Sequence, residues 1–387
     1  MHSIALSTRG LFGGKDDDSN STSKHICPVK DTTGPSIVPF VGDLTYHQFS
    51  VILAGACALL SALVVGVLIA THALNYSNPV QQRQIIRVML LIPWVALFSF
   101  LIVWQEGAGD YLVESLDFGC AIALSSFLLL MCDFVLSHRG GFDDLFGQGA
   151  WSKGAFAGSS PQWLKRMWYG VLQFIPTSII IWIATIVSLA VGTYCKQSNN
   201  IHFAHIWITA LKLIVTTVAI LSALKFYGKN KAKLQQHRIL LKLFTFKSII
   251  GLNVLQTFVI SILSGHNVLK PSKYMTYHDV DTGLASLILA CEMPIFSILM
   301  LLAFPSSPYR SSGPAAGPLS AIFDALNISD LLSAFVRGPM RLVREQQRQI
   351  LRQDSMRVDA GADPMLNAYE GDEHNGGPKD PRIGSVV

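Results

Sequence analysis

Seven long apolar runs, separated by polar segments of alternating charge, constrain this chain more than any other feature. The runs are Phe49–Ala70, Ile85–Trp104, Leu116–Leu136, Trp168–Gly192, Phe203–Leu224, Phe244–Leu263 and Gly283–Phe304. A helix rises ~1.5 Å per residue, so about 20 apolar residues cross a ~30 Å hydrocarbon core. Each run meets that length. The expected fold is therefore all-α: a polytopic membrane protein with a seven-transmembrane-helix bundle over residues 46–305. Residues 1–45 read as a mobile polar tail and residues 306–387 as a second tail.

Half of the 387 residues are hydrophobic and only 14% are charged, too apolar a balance for an ordinary soluble domain. The net charge of +5 sits beside the spans and does not point to nucleic acid. Cys27, Cys57, Cys120, Cys132, Cys195 and Cys291 are scattered, so neither a zinc site nor a disulfide framework is signalled. No apolar run precedes residue 49, so no cleavable signal peptide is expected. No cofactor is implied.

Charge sets the sides. Loop 1–2 carries Arg83 and Arg87, loop 3–4 carries Arg139, Lys153, Lys165 and Arg166, and loop 5–6 carries seven cations and no acid. Loop 2–3 has Glu106, Asp110, Glu114 and Asp117 without a base, loop 4–5 has only Lys196, and loop 6–7 is balanced. Cations collect in cytosolic loops, which places the N-terminus outside or in a lumen and the C-terminus in the cytosol. Asn20 then lies in a glycosylation sequon on the permitted side. In the C-terminal tail residues 320–336 look helical, Gly338-Pro339 interrupts, and a second helix is expected over about 340–356. Its arginine stripe would suit either an anionic lipid surface or plain solvent.

Polar residues inside the runs are the candidate site, because in lipid such groups usually face a protein interior or a water path. Lys212 in span five and Glu292 in span seven both lie about nine residues from the outer end, and their matched depth allows an ion pair. Gln256 and Asn253 in span six lie at similar levels, and Gln173 sits before Pro176-Thr177-Ser178 in span four, where a kink is expected. These five form a candidate substrate pathway; structural polar pairing is the alternative. The histidines His202, His205, His266 and His278, with Asp279 and Asp281, map to the outer face. A metal-dependent hydrolase would need three or four of them to converge, and their spacing is loose.

At the first cytosolic loop the sequence becomes specific. His72 to Arg87 reads HALNYSNPVQQRQIIR, followed by Ile92-Pro93 and Ser99. Asp117–Phe127, Leu172-Gln173-Phe174, Leu241 to Ser248 with Gln256, Cys291-Glu292-Met293 and Ala303-Phe304 follow in order. Together they resemble the organic solute transporter alpha / transmembrane protein 184 family over about residues 46–305. The chain departs from that pattern at Gly119-Cys120, where the family has Tyr-Glu, at Thr177-Ser178, where it has a basic residue, and at Leu255, where it has tryptophan.

The resemblance implies seven spans with the N-terminus out, and a facilitative carrier of amphipathic organic solutes or lipid-like anions, steroid- or bile-acid-like. Arg83, Arg87, Lys242 and Lys247 would receive an anionic head group at the cytosolic ends of spans two and six; the positive-inside signal alone would also place them there. A single-span partner subunit or a homo-oligomer is implied, in the plasma membrane or a vacuolar or other endomembrane. The alternatives are a non-transporting scaffold or regulator acting through its C-terminal tail and, third, a seven-span zinc hydrolase.

Overall fold

A computed structural model describes residues 38–137, 141–146, 161–196, 200–235, 239–265, 268–269, 271–310 and 317–339. Asn20 and the expected helix over 340–356 lie outside the described residues. The chain opens with a hairpin, β1 (Pro39–Val41) and β2 (Leu44–Thr45), turned at Gly42 with φ +59°. The end of the expected tail is thus built structure. Thr45 then starts α1 (Tyr46–Leu74) through a capping box with Gln48. Asn78 caps α2 (Pro79–Trp104), with Pro79 at the first helical position, where its missing N–H costs nothing.

A short α3 (Gly109–Leu112) leads into α4 (Glu114–Leu136), and α5 is Gly141–Phe146. Span four is two helices, α6 (Gln162–Leu172) and α7 (Phe174–Ala190), broken at Gln173. Pro176 explains the break: its ring crowds the carbonyl four residues back and it offers no N–H. Thr177 Oγ1 donates to Gln173 O at 2.6 Å, beside the Thr177 N–H bond to the same carbonyl, and Ser178 Oγ donates to Ile175 O at 2.9 Å. A helix break stands where the sequence suggests a kink.

Beyond it come α8 (Ala204–Lys229), α9 (Lys231–Leu234), α10 (Ile239–Gly265), and α11 (Leu284–Ala303) entered through a π-turn at Asp279–Gly283. Six helical segments among the described residues are long and apolar enough to cross a membrane: α1, α2, α3–α4, α6–α7, α8 and α11 with its π-turn. With 27 residues, α10 has the length for a seventh. Two short helices follow, α12 (Pro318–Leu326) and α13 (Ser329–Arg337), where the sequence suggested one; Gly338, at φ +75°, ends the second as expected.

The order of packing is α10, α11, α1, α2, α4, then α6–α7 and α8. The middle of this row is the core, and α4 is buried on nearly every side, with Phe127, Leu128, Leu130 and Met131 fully enclosed. Leu59, Leu63 and Val67 on α1, Ile180 and Ile183 on α7, Leu213 on α8 and Ile295 on α11 are exposed, as lipid-facing residues must be.

One departure from the family pattern has a packing reason. A Cβ on Gly119 would fall on the Trp94 indole, whose Nε1 donates to Ser115 O at 2.8 Å. Glycine there lets tryptophan lie against the α4 backbone. We expect Gly119→Ala to destabilise the protein by about 1–3 kcal/mol through overpacking. Gly66→Ala, where a Cβ meets open space, should be neutral or stabilising. Thermal unfolding of the purified protein in detergent distinguishes the two.

Candidate functional site

Among the described residues, three polar groupings interrupt the apolar bundle. The first closes the end where α4 and α8 begin. Lys212 lies in the third turn of α8 and its four-carbon stem carries the ammonium back toward that end. There it meets Asp117 Oδ2 at 2.6 Å and Glu114 Oε2 at 3.1 Å, both in the first turn of α4. Nearby Lys196 bridges Asp281 at 2.9 Å and Asp110 at 3.3 Å. Burial pulls the Lys196 ammonium down, but the two carboxylates outweigh it and hold it above the ordinary lysine range. His47 adds contacts to Glu106 at 3.4 Å and Asp279 at 3.9 Å. Loops 2–3, 4–5 and 6–7 therefore share one side, as their charges required.

The Lys212–Glu292 pair that matched depth allows is not formed. Equal Cα depth was a poor guide, because a long lysine reaches along the helix and Glu114 and Asp117 belong to the helix, not to the preceding loop. It also bears on the acid missing at Cys120: two carboxylates stand one and two turns earlier on the same helix.

The second grouping is smaller. Gln256 Nε2 on α10 donates to Glu292 Oε1 on α11. Glu292 Oε2 and Gln256 Oε1 are buried and have no hydrogen-bond partner. Asn253, three residues before Gln256, lies on the same face of α10 and is partly exposed. The Cys291 thiol, next to Glu292 in sequence, meets the Cys57 thiol of α1. Gln173 does not join this set. Its side chain donates to Gly170 O at 3.3 Å and Val215 O at 3.4 Å, tying the α6–α7 break to α8.

The third grouping is the most extensive, and the HALNYSNPVQQRQIIR segment builds it. Arg87 is buried just over two turns inside α2. Its Nε donates to Ala325 O at 2.7 Å and its NH2 to Asn327 O at 2.6 Å and Asp324 O at 3.3 Å. Its two terminal nitrogens also meet the Asp330 carboxylate, at 2.8 and 2.7 Å. Arg83 pairs with Asp324 at 3.2 Å and Asp330 at 3.3 Å. Gln84 donates to Asp330 at 3.0 Å and the Tyr76 hydroxyl to Asp324 at 2.6 Å. His72 contacts Phe304 O at 3.1 Å, and Tyr309 donates to Gln81 at 3.1 Å. From α6, Trp168 Nε1 donates to Ala334 O at 2.9 Å.

The anion that Arg83 and Arg87 meet is thus the chain's own. Lys242 is also enclosed, its ammonium 5.0 Å from the Phe134 ring and 5.1 Å from that of Phe304. Three of the four expected head-group cations face protein; the Lys247 side chain lies outside the described residues. No spacing rule signals these contacts, since the partners are more than 200 residues apart.

Among the described residues no group of three or more His, Cys, Asp or Glu side chains gathers to hold a metal ion. His278 is engaged at both nitrogens, by Ile102 O at 3.0 Å and the Thr282 hydroxyl at 3.1 Å. Cys195 is disulfide-bonded, which the scattered cysteines did not signal; Cys57, Cys120, Cys132 and Cys291 are free thiols.

Apolar helices in this number, with charges confined to the two ends and one polar contact between α10 and α11, define a multi-pass membrane protein. The family model described as organic solute transporter Ostalpha matches residues 50–309. The chain belongs to that family. It is 25% identical over 269 residues to the vacuole membrane protein hfl11 of Schizosaccharomyces pombe, covering 67% of this chain and 62% of that one. It is 25% identical over 264 residues to a transmembrane protein 184 homolog of Dictyostelium discoideum, covering 65% and 51%. It is 23% identical over 303 residues to protein LAZ1 of Arabidopsis thaliana, covering 71% and 62%. The matched part is about half to three-fifths of these relatives' length. No solved structure matches.

Two outcomes follow from the charge geometry. Lys212→Met leaves Glu114 and Asp117 without their cation, and we expect a loss of about 3–5 kcal/mol in unfolding free energy. Glu292→Gln, which removes no ion-pair partner, should cost far less. Denaturant titration in detergent measures both. At the other end, burial raises the Asp330 carboxyl, but the hydrogen bond and charge of Arg87 outweigh it and hold it below the usual aspartate range. The undocked segment therefore binds a proton more readily than the docked one. Asp330's contribution is complete above ~3.9 and is lost as pH falls through its lower docked value. Asp330→Asn should remove about 2 kcal/mol at neutral pH together with this acid dependence. Proteolysis of residues 317–339 as a function of pH reads it.

Proposed function

We propose that this chain is a facilitative carrier of amphipathic organic solutes or lipid-like anions, with its N-terminus outside or lumenal and its C-terminus cytosolic. The observation that carries the reading is the Glu292–Gln256 pair between α10 and α11. Two buried oxygens there have no hydrogen-bond donor, and a bound group could supply one. Glu292 is the ninth residue of α11, about 12 Å along its axis and so near mid-membrane. A hydroxyl on a steroid-like solute, or a proton carried with the solute, matches that need. Asn253 extends the polar face by one turn.

Family membership supports transport, and the charge separation of the loops supports the orientation. The disulfide at Cys195, in the α7–α8 loop, agrees with an oxidising outer or lumenal side. The name of the fission-yeast relative supports an endomembrane such as the vacuole. The exposed apolar face of α1 would suit a single-span partner or a second copy as well as lipid.

Uptake of a labelled steroid sulfate into proteoliposomes tests the reading. We expect saturable flux that Glu292→Gln lowers about tenfold, equivalent to ~1.4 kcal/mol. Absence of flux with a panel of amphipathic anions, in protein that remains folded, would favour a non-transporting scaffold instead.

A further inference from the structure

The bent α12–α13 pair has an inverted surface. Its two carboxylates, Asp324 and Asp330, point inward to Arg83 and Arg87, and Ala321, Ala325, Leu331 and Ala334 are buried against the bundle. Outward it presents Leu319, Phe323, Leu326, Leu332 and Val336, each more than half exposed, along with Ile322 and Ile328. Among the described residues the single charge on that outer side is Arg337, at the far end of α13. In water this would be a contiguous apolar patch of the kind soluble surfaces avoid.

Its position says what covers it. The backbone of this pair binds Arg87 and Trp168, and both lie near the start of the apolar runs of their spans, so the segment sits beside the bundle at the edge of the hydrocarbon layer. Its outer face continues the lipid-facing surface of the spans. Each arm has nine residues, ~13 Å, and the two meet at a bend of 46°, too short and too bent for either arm to cross. A bilayer-spanning role would also bury the polar turn at Asn327-Ile328-Ser329.

We propose that α12–α13 is a bent interfacial helix pair inserted in the adjoining leaflet, its apolar face against acyl chains and its acidic face clamped to Arg83 and Arg87. The two acids are neutralised by the bundle, so insertion leaves neither bare in lipid. The pair forms a lipid-contacting edge on the bundle that does not depend on transport.

Nitroxide labels on the full chain test this. Cys57 and Cys291 are replaced by alanine, and single cysteines are placed at Phe323, Leu332, Val336 and, as a lipid-facing reference, Leu63. The protein is reconstituted in phosphatidylcholine vesicles, and collision with oxygen is compared with collision with a water-soluble nickel chelate. We expect the oxygen-to-nickel ratio at Phe323, Leu332 and Val336 to lie within about twofold of that at Leu63. It should fall several-fold in Arg87→Gln, which releases the clamp. A ratio favouring nickel in the unclamped and clamped proteins alike would overturn the proposal. So would low accessibility to both reagents, which would show a second copy or another protein on this face. Labelled variants whose thermal midpoint matches the parent are compared, so misfolding does not enter the reading.

Discussion

A guanidinium buried inside a membrane helix has to be answered atom by atom, and much of this protein's architecture is the answer to Arg87. Removing such a charge from water costs several kcal/mol, and the attraction of one carboxylate does not reliably offset it. Here every guanidinium nitrogen donates, to three carbonyls, a glutamine and a carboxylate. The carbonyls are those that α12 leaves unsatisfied at its C-terminal end. One arginine therefore caps one helix, fixes the next through Asp330, and joins the start of α2 to the segment after the last span.

The two ends of the bundle are built alike in principle. Each gathers cations and acids from elements distant in sequence and lets them satisfy one another. The Glu292–Gln256 contact stands apart from both. It lies between α10 and α11, at the end of the packing row, and α10 packs chiefly against α11. This polar contact, with its spare acceptors, is separate from both ion-paired ends.

The spans could be read in the sequence because about 20 apolar residues have few other uses, and loop charges sorted the sides correctly into two groups. Thr177 and Ser178 after Pro176 announced the break in span four. What could not be read was pairing. Lys212 was matched to Glu292 by depth, whereas side-chain reach decided for Glu114 and Asp117. Arg83 and Arg87 looked like head-group ligands because nothing local suggests that carboxylates more than 200 residues away return to them. The motif from His72 to Arg87 was recognisable as a pattern, but its work, holding Phe304, Tyr309, Asp324 and Asp330, required the folded chain. The break at Asn327 was missed because residues 320–336 carry a continuous helical pattern.

The clamp also has a history within each molecule's synthesis. Asp330 is made 243 residues after Arg87. At roughly 5–20 residues per second, the arginine waits about ten to fifty seconds for its partners. During that interval the acceptors that α12 and α13 supply do not yet exist, so the guanidinium can be enclosed as the structure has it only once both helices have been made.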